Sequence, residues 1–184
     1  MRKLIIGFSL PKKSKFPLYS LLIRGLYRFT RGKDPGYSHV FFCWYSEKAE
    51  CYTVYEASGR SVNFKGEKIA KERLKIVKAY EVEVEAKVFD KFIGFCIRNS
   101  GVDYGLLQAF GMGLCEILLY KFNKKVTNPF KKESMLTEVC SETVGLGLNV
   151  LGYELGIDQD LIGPVDIDNM LASCNCAKPV EFNL

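Results

Sequence analysis

YSHVFFCWY, at residues 37–45, and CYTVYEA, at residues 51–57, are two runs of aromatic and β-branched residues. Such runs favour β-strands, and the polar SEKAE between them is typical of a turn, so the two runs predict an antiparallel pair of strands. His39 lies in the first predicted strand and Glu56 in the second, at comparable distances from the turn. We therefore expect the imidazole and the carboxylate to face one another across the ladder.

The flanking sequence predicts further strands and helices around this pair. Strands are predicted at 2–10, at 61–64, within 74–84 and after residue 176, and helices at 19–29, 86–99, 137–151 and 166–172. Residues 104–122 are the most hydrophobic stretch, but Gln108 and Glu116 interrupt it, so we interpret it as a buried helix rather than a membrane span. Peripheral contact with a membrane surface is the alternative. Together these elements predict a single α+β domain over residues 1–184, with an antiparallel sheet packed against helices.

The composition is typical of a globular protein rather than a disordered one. The 184 residues are 48% hydrophobic and 26% charged, with a formal net charge of +5. Lysine pairs at 12–13, 124–125 and 131–132 are interpreted as solvated surface, with a patch for a polyanion or a membrane surface as the alternative. Nucleic acid is not an expected partner, because the aromatic residues fall at core-like positions rather than between basic residues.

The N-terminal sequence and the cysteines predict a cytoplasmic protein. The apolar run 4–10 is short and meets Pro11 and two lysines instead of a small-residue cleavage site, so no signal peptide is expected. Seven cysteines, an odd number without a framework spacing, lie at positions 43, 51, 96, 115, 140, 174 and 176. This pattern is typical of free thiols in a reducing compartment.

Three residues could carry chemistry. His39 is the one histidine in the sequence, so any cysteine–histidine mechanism must use it as the base. Cys140 is predicted in the first turn of a helix, where the macrodipole and unpaired N–H groups favour a thiolate and can bind an oxyanion. Glu56 lies in an apolar strand where a carboxylate is costly to bury without a partner, which makes it the candidate to orient His39. Each residue also has a simpler interpretation, as a core histidine, a small buried cysteine and a glutamate facing water.

The segments GYSHVFF, VYEASG, VCSETV and GPVDIDNML resemble the circularly permuted NlpC-like cysteine hydrolases, relatives of the papain fold and of lecithin-retinol acyltransferase. In that permuted group the histidine strand precedes the nucleophile helix, as His39 and Glu56 precede Cys140 here. The resemblance implies a thiolate–imidazolium pair, with Glu56 as the third polar residue. Segment 102–105 departs from the family pattern, because Val102 stands where an aromatic residue is common, so Tyr104 is a candidate lining residue only.

The resemblance implies thiolate attack on a carbonyl and an acyl-enzyme intermediate. Hydrolysis of an amide or peptide bond is the first expectation, with peptides, isopeptides or lipid amides as substrates. Ser38 and Ser141, the neighbours of His39 and Cys140, join Tyr104 as candidate substrate-lining residues. The alternatives are a thiol acyltransferase or lipase-like enzyme on lipid esters or amides, and a non-catalytic binding or structural module.

No cofactor or metal is expected from the sequence. Cys174 and Cys176 with His39 form too small a ligand set for a typical zinc site, because the usual second Cys or His pair is missing. The glycines at 111 and 113 and at 145 and 147 lie in helical hydrophobic stretches without a phosphate-loop pattern. The sequence makes no prediction of oligomeric state.

Overall fold

The computed structural model describes residues 1–12, 17–59, 61–130, 137–157 and 161–184. The lysine pair at 131–132, Lys13 and the end of the predicted loop 123–134 lie outside these residues. Eight strands are present in the described part: β1 (Arg2–Pro11), β2 (His39–Ser46), β3 (Cys51–Ser58), β4 (Ser61–Gly66), β5 (Leu74–Val84), β6 (Asp103–Tyr104), β7 (Thr137–Glu138) and β8 (Ala177–Pro179). They form one curled sheet in the order β7-β6-β4-β3-β2-β1-β5-β8.

Six helices complete the described part: α1 (Pro17–Arg31), α2 (Glu67–Arg73), α3 (Ala86–Arg98), α4 (Leu106–Phe122), α5 (Cys140–Val150) and α6 (Pro164–Ser173). The fold is therefore α+β, as predicted. β2 pairs with β3 from Phe42–Tyr55 to Ser46–Cys51, which confirms the predicted antiparallel pair.

The sheet is mixed, so the prediction of an antiparallel sheet is wrong at one edge. β6 and β7 run parallel, with Asp103 opposite Thr137 and Tyr104 opposite Glu138, whereas the other paired strands are antiparallel. Two parallel strands need a long crossover between them, and α4 lies in the chain between β6 and β7.

Apolar side chains cover both faces of the central strands. Val40, Phe42 and Trp44 of β2 belong to the larger core with residues of α3, α5 and α6, whereas Phe41 and Cys43 belong to a smaller core with Ala70 of α2. Alternate residues of a strand point to opposite faces, so burial of both faces explains why β2 is a nearly continuous apolar run.

Helix α5 lies close against the sheet and begins at Cys140. A Cβ atom at Gly147 would lie 2.5 Å from the Phe42 ring, so this glycine allows the helix to approach β2. The prediction that the helix begins at Thr137 is wrong, because Thr137 and Glu138 pair as strand β7 and Val139 is extended, with φ −104° and ψ 163°. The thiol therefore lies at the first helical residue.

Two other predictions need correction. The stretch 104–122 is not a buried helix: α4 begins at Leu106, and Leu107, Phe110 and Phe122 are each more than 60% exposed. Only a stripe containing Gln108, Gly111 and Cys115 is buried, because α4 packs on the molecule along one side. Within the described residues, no helix combines the length and apolar character needed to cross a membrane.

The expectation of free thiols is wrong for two of the seven cysteines. Cys174 and Cys176 form a disulfide between α6 and β8, with their Cα atoms 5.3 Å apart. Cys43, Cys51, Cys96 and Cys140 are free thiols. A disulfide-bonded pair has no thiolates to offer, so this pair does not act with His39 as a zinc site in this structure.

Candidate active site

His39 and Glu56 meet at the ends of β2 and β3. The Nε2 atom of His39 lies 2.5 Å from the Oε2 atom of Glu56, whose side chain is 1% exposed. The register that joins Phe42 to Tyr55 makes His39 and Glu56 diagonal neighbours rather than directly opposite residues. Because Nε2 is engaged by the carboxylate, Nδ1 is the ring nitrogen left to serve a reacting group.

The second carboxylate oxygen of Glu56 is also engaged. Its Oε1 atom accepts hydrogen bonds from the ammonium group of Lys65 and, at 2.8 Å, from the hydroxyl of Ser58. Lys65 also donates to the Ser58 hydroxyl. β4 places the lysine here, because Asn63 is the direct partner of Glu56 and Lys65 lies two residues further along the same face. The carboxylate is therefore held on both sides and cannot rotate away from His39.

The buried cations keep Glu56 ionised. Burial by itself would raise the pKa of this carboxyl group, but the charge and hydrogen bond of His39, followed by those of Lys65, lower it well below its usual range. Burial likewise would lower the pKa of His39, but the Glu56 charge and the hydrogen bond and charge of Cys140 outweigh it and raise the pKa to about 10. The pair is therefore charged over a wide range of pH.

Cys140 completes the cluster from the other side of the imidazole. It lies near enough to His39 for hydrogen bonding and charge to help raise the histidine pKa. Burial raises the pKa of the thiols of Cys43 and Cys96.

The start of α5 fixes the position of the thiol. The Val139 N–H donates to the Glu142 carboxylate at 3.3 Å, and the Thr143 N–H donates to the Val139 carbonyl oxygen at 2.9 Å. The first N–H groups of a helix have no acceptor within the helix and carry its positive dipole end. Cys140 at the first helical position therefore lies where an anionic sulfur and a developing oxyanion are both favoured.

A cavity of about 70 Å³ lies beside Cys140. All three predicted lining residues, Ser38, Tyr104 and Ser141, border this cavity. The other bordering residues are mostly apolar and come chiefly from α1, α4 and the segment before α6: Ile23, Leu26, Tyr27, Ala109, Met112, Gly113, Glu116, Val139, Leu161, Gly163 and Pro164. A larger cavity of about 460 Å³ shares Tyr104 and is bordered by Leu106, Leu107 and Phe130. The site thus offers apolar space on both sides of Tyr104.

Tyr27 is a site residue that the sequence analysis missed. It is buried beside the cavity, and burial, reinforced by nearby carboxylates, raises its pKa well above the usual value, so its hydroxyl remains a hydrogen-bond donor. Burial and the nearby Cys140 likewise raise the pKa of Tyr104. The spacing of Leu22, Leu26 and Phe29 marked this segment as a helix but carried no signal for the tyrosine.

The GPVDIDNML segment supports the wall of the cavity. A Cβ atom at Gly163 would lie 1.8 Å from the Tyr27 hydroxyl oxygen, so only glycine leaves room for the tyrosine. Asp166 accepts a hydrogen bond from the Gly163 N–H at 2.9 Å and pairs with Arg31 of α1 at 2.6 Å. Arg31 also pairs with Glu116 of α4 at 2.6 Å. One guanidinium therefore joins the three helices that surround the cavity.

Comparison with known proteins shows the fold alone. No family model and no curated protein matches the chain. Among solved structures, the chain is similar to the crystal structure of metalloprotein yiiX from Escherichia coli O157:H7, DUF1105, with 15% sequence identity and a TM-score of 0.58. The similarity covers 100% of this chain and 97% of that chain. In the part of this chain that the structure describes, no group of three or more His, Cys, Asp or Glu residues is placed to hold a metal ion.

Proposed function

We propose that this chain is a cysteine hydrolase with a circularly permuted papain-like fold, acting on an amide or peptide bond. Cys140 is the nucleophile, His39 the general base and acid, and Glu56 the residue that orients His39. The observation that carries the proposal is that His39 is hydrogen-bonded to Glu56 and lies near enough to Cys140 to interact with it, although the three lie far apart in the chain. The order His39, Glu56, Cys140 and the thiol at a helix start also support it.

The reaction begins with attack of the Cys140 thiolate on the substrate carbonyl carbon. A C–S bond forms, and the carbonyl electrons move to oxygen, where the N–H groups at the start of α5 stabilise the charge. Collapse of this intermediate breaks the C–N bond, and His39 gives its proton to the departing amine, leaving a thioester on Cys140. Water then attacks the thioester as His39 takes its proton, and the acid product and free thiol are released.

Acyl transfer to an acceptor other than water is the second candidate. The mostly apolar border of the cavity beside Cys140 favours it, because a hydrocarbon chain would bury apolar surface there. Thioester formation on Cys140 is common to both candidates. A hydrolase releases acid in buffer alone, whereas a transferase turns over only when an amine or alcohol acceptor is added.

Alkylation with iodoacetamide across pH, followed by peptide mapping, tests the proposed nucleophile. We expect Cys140 to react at lower pH than the partly exposed Cys51, and we expect His39→Ala to abolish that advantage, because the imidazolium that stabilises the thiolate is gone. Cys51 serves as an internal reference within the same sample. Equal reaction of Cys140 and Cys51 at every pH would overturn the proposal and favour a binding module.

Turnover is tested with a panel of acyl and peptidyl substrates and the Cys140→Ser variant. We expect a mass increase on the Cys140 peptide that hydroxylamine removes, because hydroxylamine cleaves thioesters. The Cys51→Ser variant is the matched control and should retain both the adduct and the turnover. A Cys140→Ser variant that is as active as the original chain would contradict the assigned role.

A further inference from the structure

Helix α1 presents apolar residues to the solvent along one side. Leu18, Leu21, Leu22 and Phe29 are 66%, 59%, 60% and 58% exposed. Their spacing of three, four and seven residues places them on one stripe of the helix. A helix on the surface of a globular protein normally turns its apolar side toward the core, as α1 does with Leu26 and Tyr27, so the outward stripe is a second apolar side.

Several polar groups of α1 also point toward the molecule. The Ser20 hydroxyl lies 2.6 Å from that of Ser38, and Arg24 Nε donates to Asp34 at 2.8 Å. Thr30 and Arg31 both contact Glu116 of α4. Rotation of α1 to bury its leucines would break these bonds, so the outward apolar stripe is a stable feature of the fold.

Helix α4 extends this apolar surface. Leu106, Leu107, Phe110 and Phe122 are 53%, 63%, 67% and 64% exposed. The two helices run in the same direction, because Leu26 lies beside Gly113 and the later residue Arg31 lies beside the later residue Tyr120. The two exposed stripes meet where the Lys121 ammonium group lies 4.7 Å from the centre of the Phe29 ring. We call the exposed apolar residues of these two helices the α1–α4 face.

Basic residues border the α1–α4 face at this meeting point. Arg28, Lys33, Lys121, Lys124 and Lys125 are exposed. The two acidic residues of segments 17–34 and 106–125, Asp34 and Glu116, are both paired with arginines. The border of the face is therefore cationic, without exposed carboxylates in these two segments to neutralise it.

We propose that the α1–α4 face docks on the surface of a lipid bilayer that contains anionic lipids. Apolar side chains beside lysines and arginines are the composition that places a helix at the boundary between headgroups and acyl chains. Anionic headgroups would neutralise the cationic border. A second copy of the chain fits this face less well, because a symmetric dimer places the same patch on both partners and could bring like charges together.

Docking in this orientation also has a consequence for the candidate active site. The cavity beside Cys140 lies between α1 and α4, so a docked molecule holds that cavity next to the headgroup region. The docking itself does not rest on the proposed chemistry, because no residue of the α1–α4 face belongs to the cluster of Cys140, His39 and Glu56. Failure of lipid binding and failure of thiol reactivity are therefore separate results.

Co-sedimentation of the full chain with vesicles tests the proposal. We expect binding to vesicles of phosphatidylcholine mixed with phosphatidylglycerol, and weaker binding to phosphatidylcholine alone or at high salt. Leu22→Glu and Phe110→Glu, on the two helices, should each weaken binding about tenfold or more, since each removes an apolar group from the lipid contact. Ile97→Glu is the matched control, because Ile97 of α3 is 61% exposed but lies outside the face.

Several results would overturn the proposal. One is no binding of the original chain to either vesicle, and another is binding that Leu22→Glu and Phe110→Glu leave unchanged. Equal loss in Ile97→Glu would show that the effect is not specific to the face. If the chain does not bind vesicles but sediments as a dimer, and Leu22→Glu converts this dimer to a monomer, the α1–α4 face would instead be the contact with a second copy.

Discussion

Replacement of Glu56 by glutamine keeps the size of the side chain and removes its charge. The carboxylate accepts hydrogen bonds from Lys65 and Ser58 through Oε1 and contacts His39 through Oε2. In Glu56→Gln the amide oxygen remains the best acceptor for Lys65. Because the oxygen points toward Lys65, the amide N–H₂ group points toward His39. The ring nitrogen Nε2 then becomes an acceptor, and the proton moves to Nδ1, the nitrogen that accepts it from Cys140 in the proposed mechanism.

The magnitude follows from the geometry of the pair. With charge centres about 4 Å apart, an effective dielectric of about 20 gives an attraction of about 4 kcal/mol between carboxylate and imidazolium. Its loss corresponds to roughly a thousandfold change in the protonation equilibrium of His39. Because the amide dipole and local relaxation recover part of this energy, we expect Cys140 to be alkylated about ten to a hundred times more slowly below the usual pKa of a thiol.

The assay is the iodoacetamide rate at Cys140 as a function of pH, with Glu47→Gln as the matched control because the Glu47 side chain is 73% exposed. Glu56→Gln also leaves Lys65 without its carboxylate, at a cost of about 3–5 kcal/mol in stability. The double variant Glu56→Gln/Lys65→Met removes both charges and should regain much of this stability without regaining reactivity. The reasoning is refuted if the single and double variants, shown to be folded by denaturant titration, give the Cys140 rate profile of the original chain.

Three further predictions concern stability. Lys65→Met alone should lower the free energy of unfolding by about 2–4 kcal/mol in denaturant titration, because a buried partner of Glu56 is lost. Lys3→Met, at an exposed pair, is the control and should leave the free energy of unfolding nearly unchanged. Gly163→Ala should cost about 1–3 kcal/mol by crowding Tyr27, and Tyr27→Phe should reduce that cost in a double-mutant cycle. The pKa of Glu56 is lower in the folded chain than in the unfolded chain, so its carboxylate stabilises the fold fully above the unfolded-state pKa of about 4.5 and less as the pH falls. The stability difference between the original chain and Glu56→Gln should therefore shrink in acid.

Local sequence pattern predicts the centre of the sheet well. The alternation in AYEVEVE and the aromatic runs around His39 and Glu56 predict β2, β3 and β5, because strand period and side-chain type agree there. The contact between His39 and Glu56 follows from the same reasoning, since two strands joined by a short turn have a restricted register. These elements depend on interactions between neighbouring segments of the chain.

Long-range packing accounts for what the sequence did not predict. Lys65 in SVNFKG has the pattern of a solvent-facing lysine, and only the β3–β4 register brings it to Glu56. Long-range packing also decides the exposure of α4. Its hydrophobic sequence predicts burial, but the helix lies at the outside of the molecule and is exposed along one side. β7 has two residues, too few for any periodicity, and forms because β6 offers it a partner.

The order of the parts along the chain affects when they meet during protein synthesis. Strands β1 to β5 are neighbours in the sheet and are complete by Val84, so His39 and Glu56 can come together on the nascent chain while α5 has yet to be translated. At about 5–20 residues per second, Cys140 follows some seconds later. The partly made protein can therefore hold His39 in place before Cys140 is made, and a ribosome stalled in that interval would carry a chain without the proposed nucleophile.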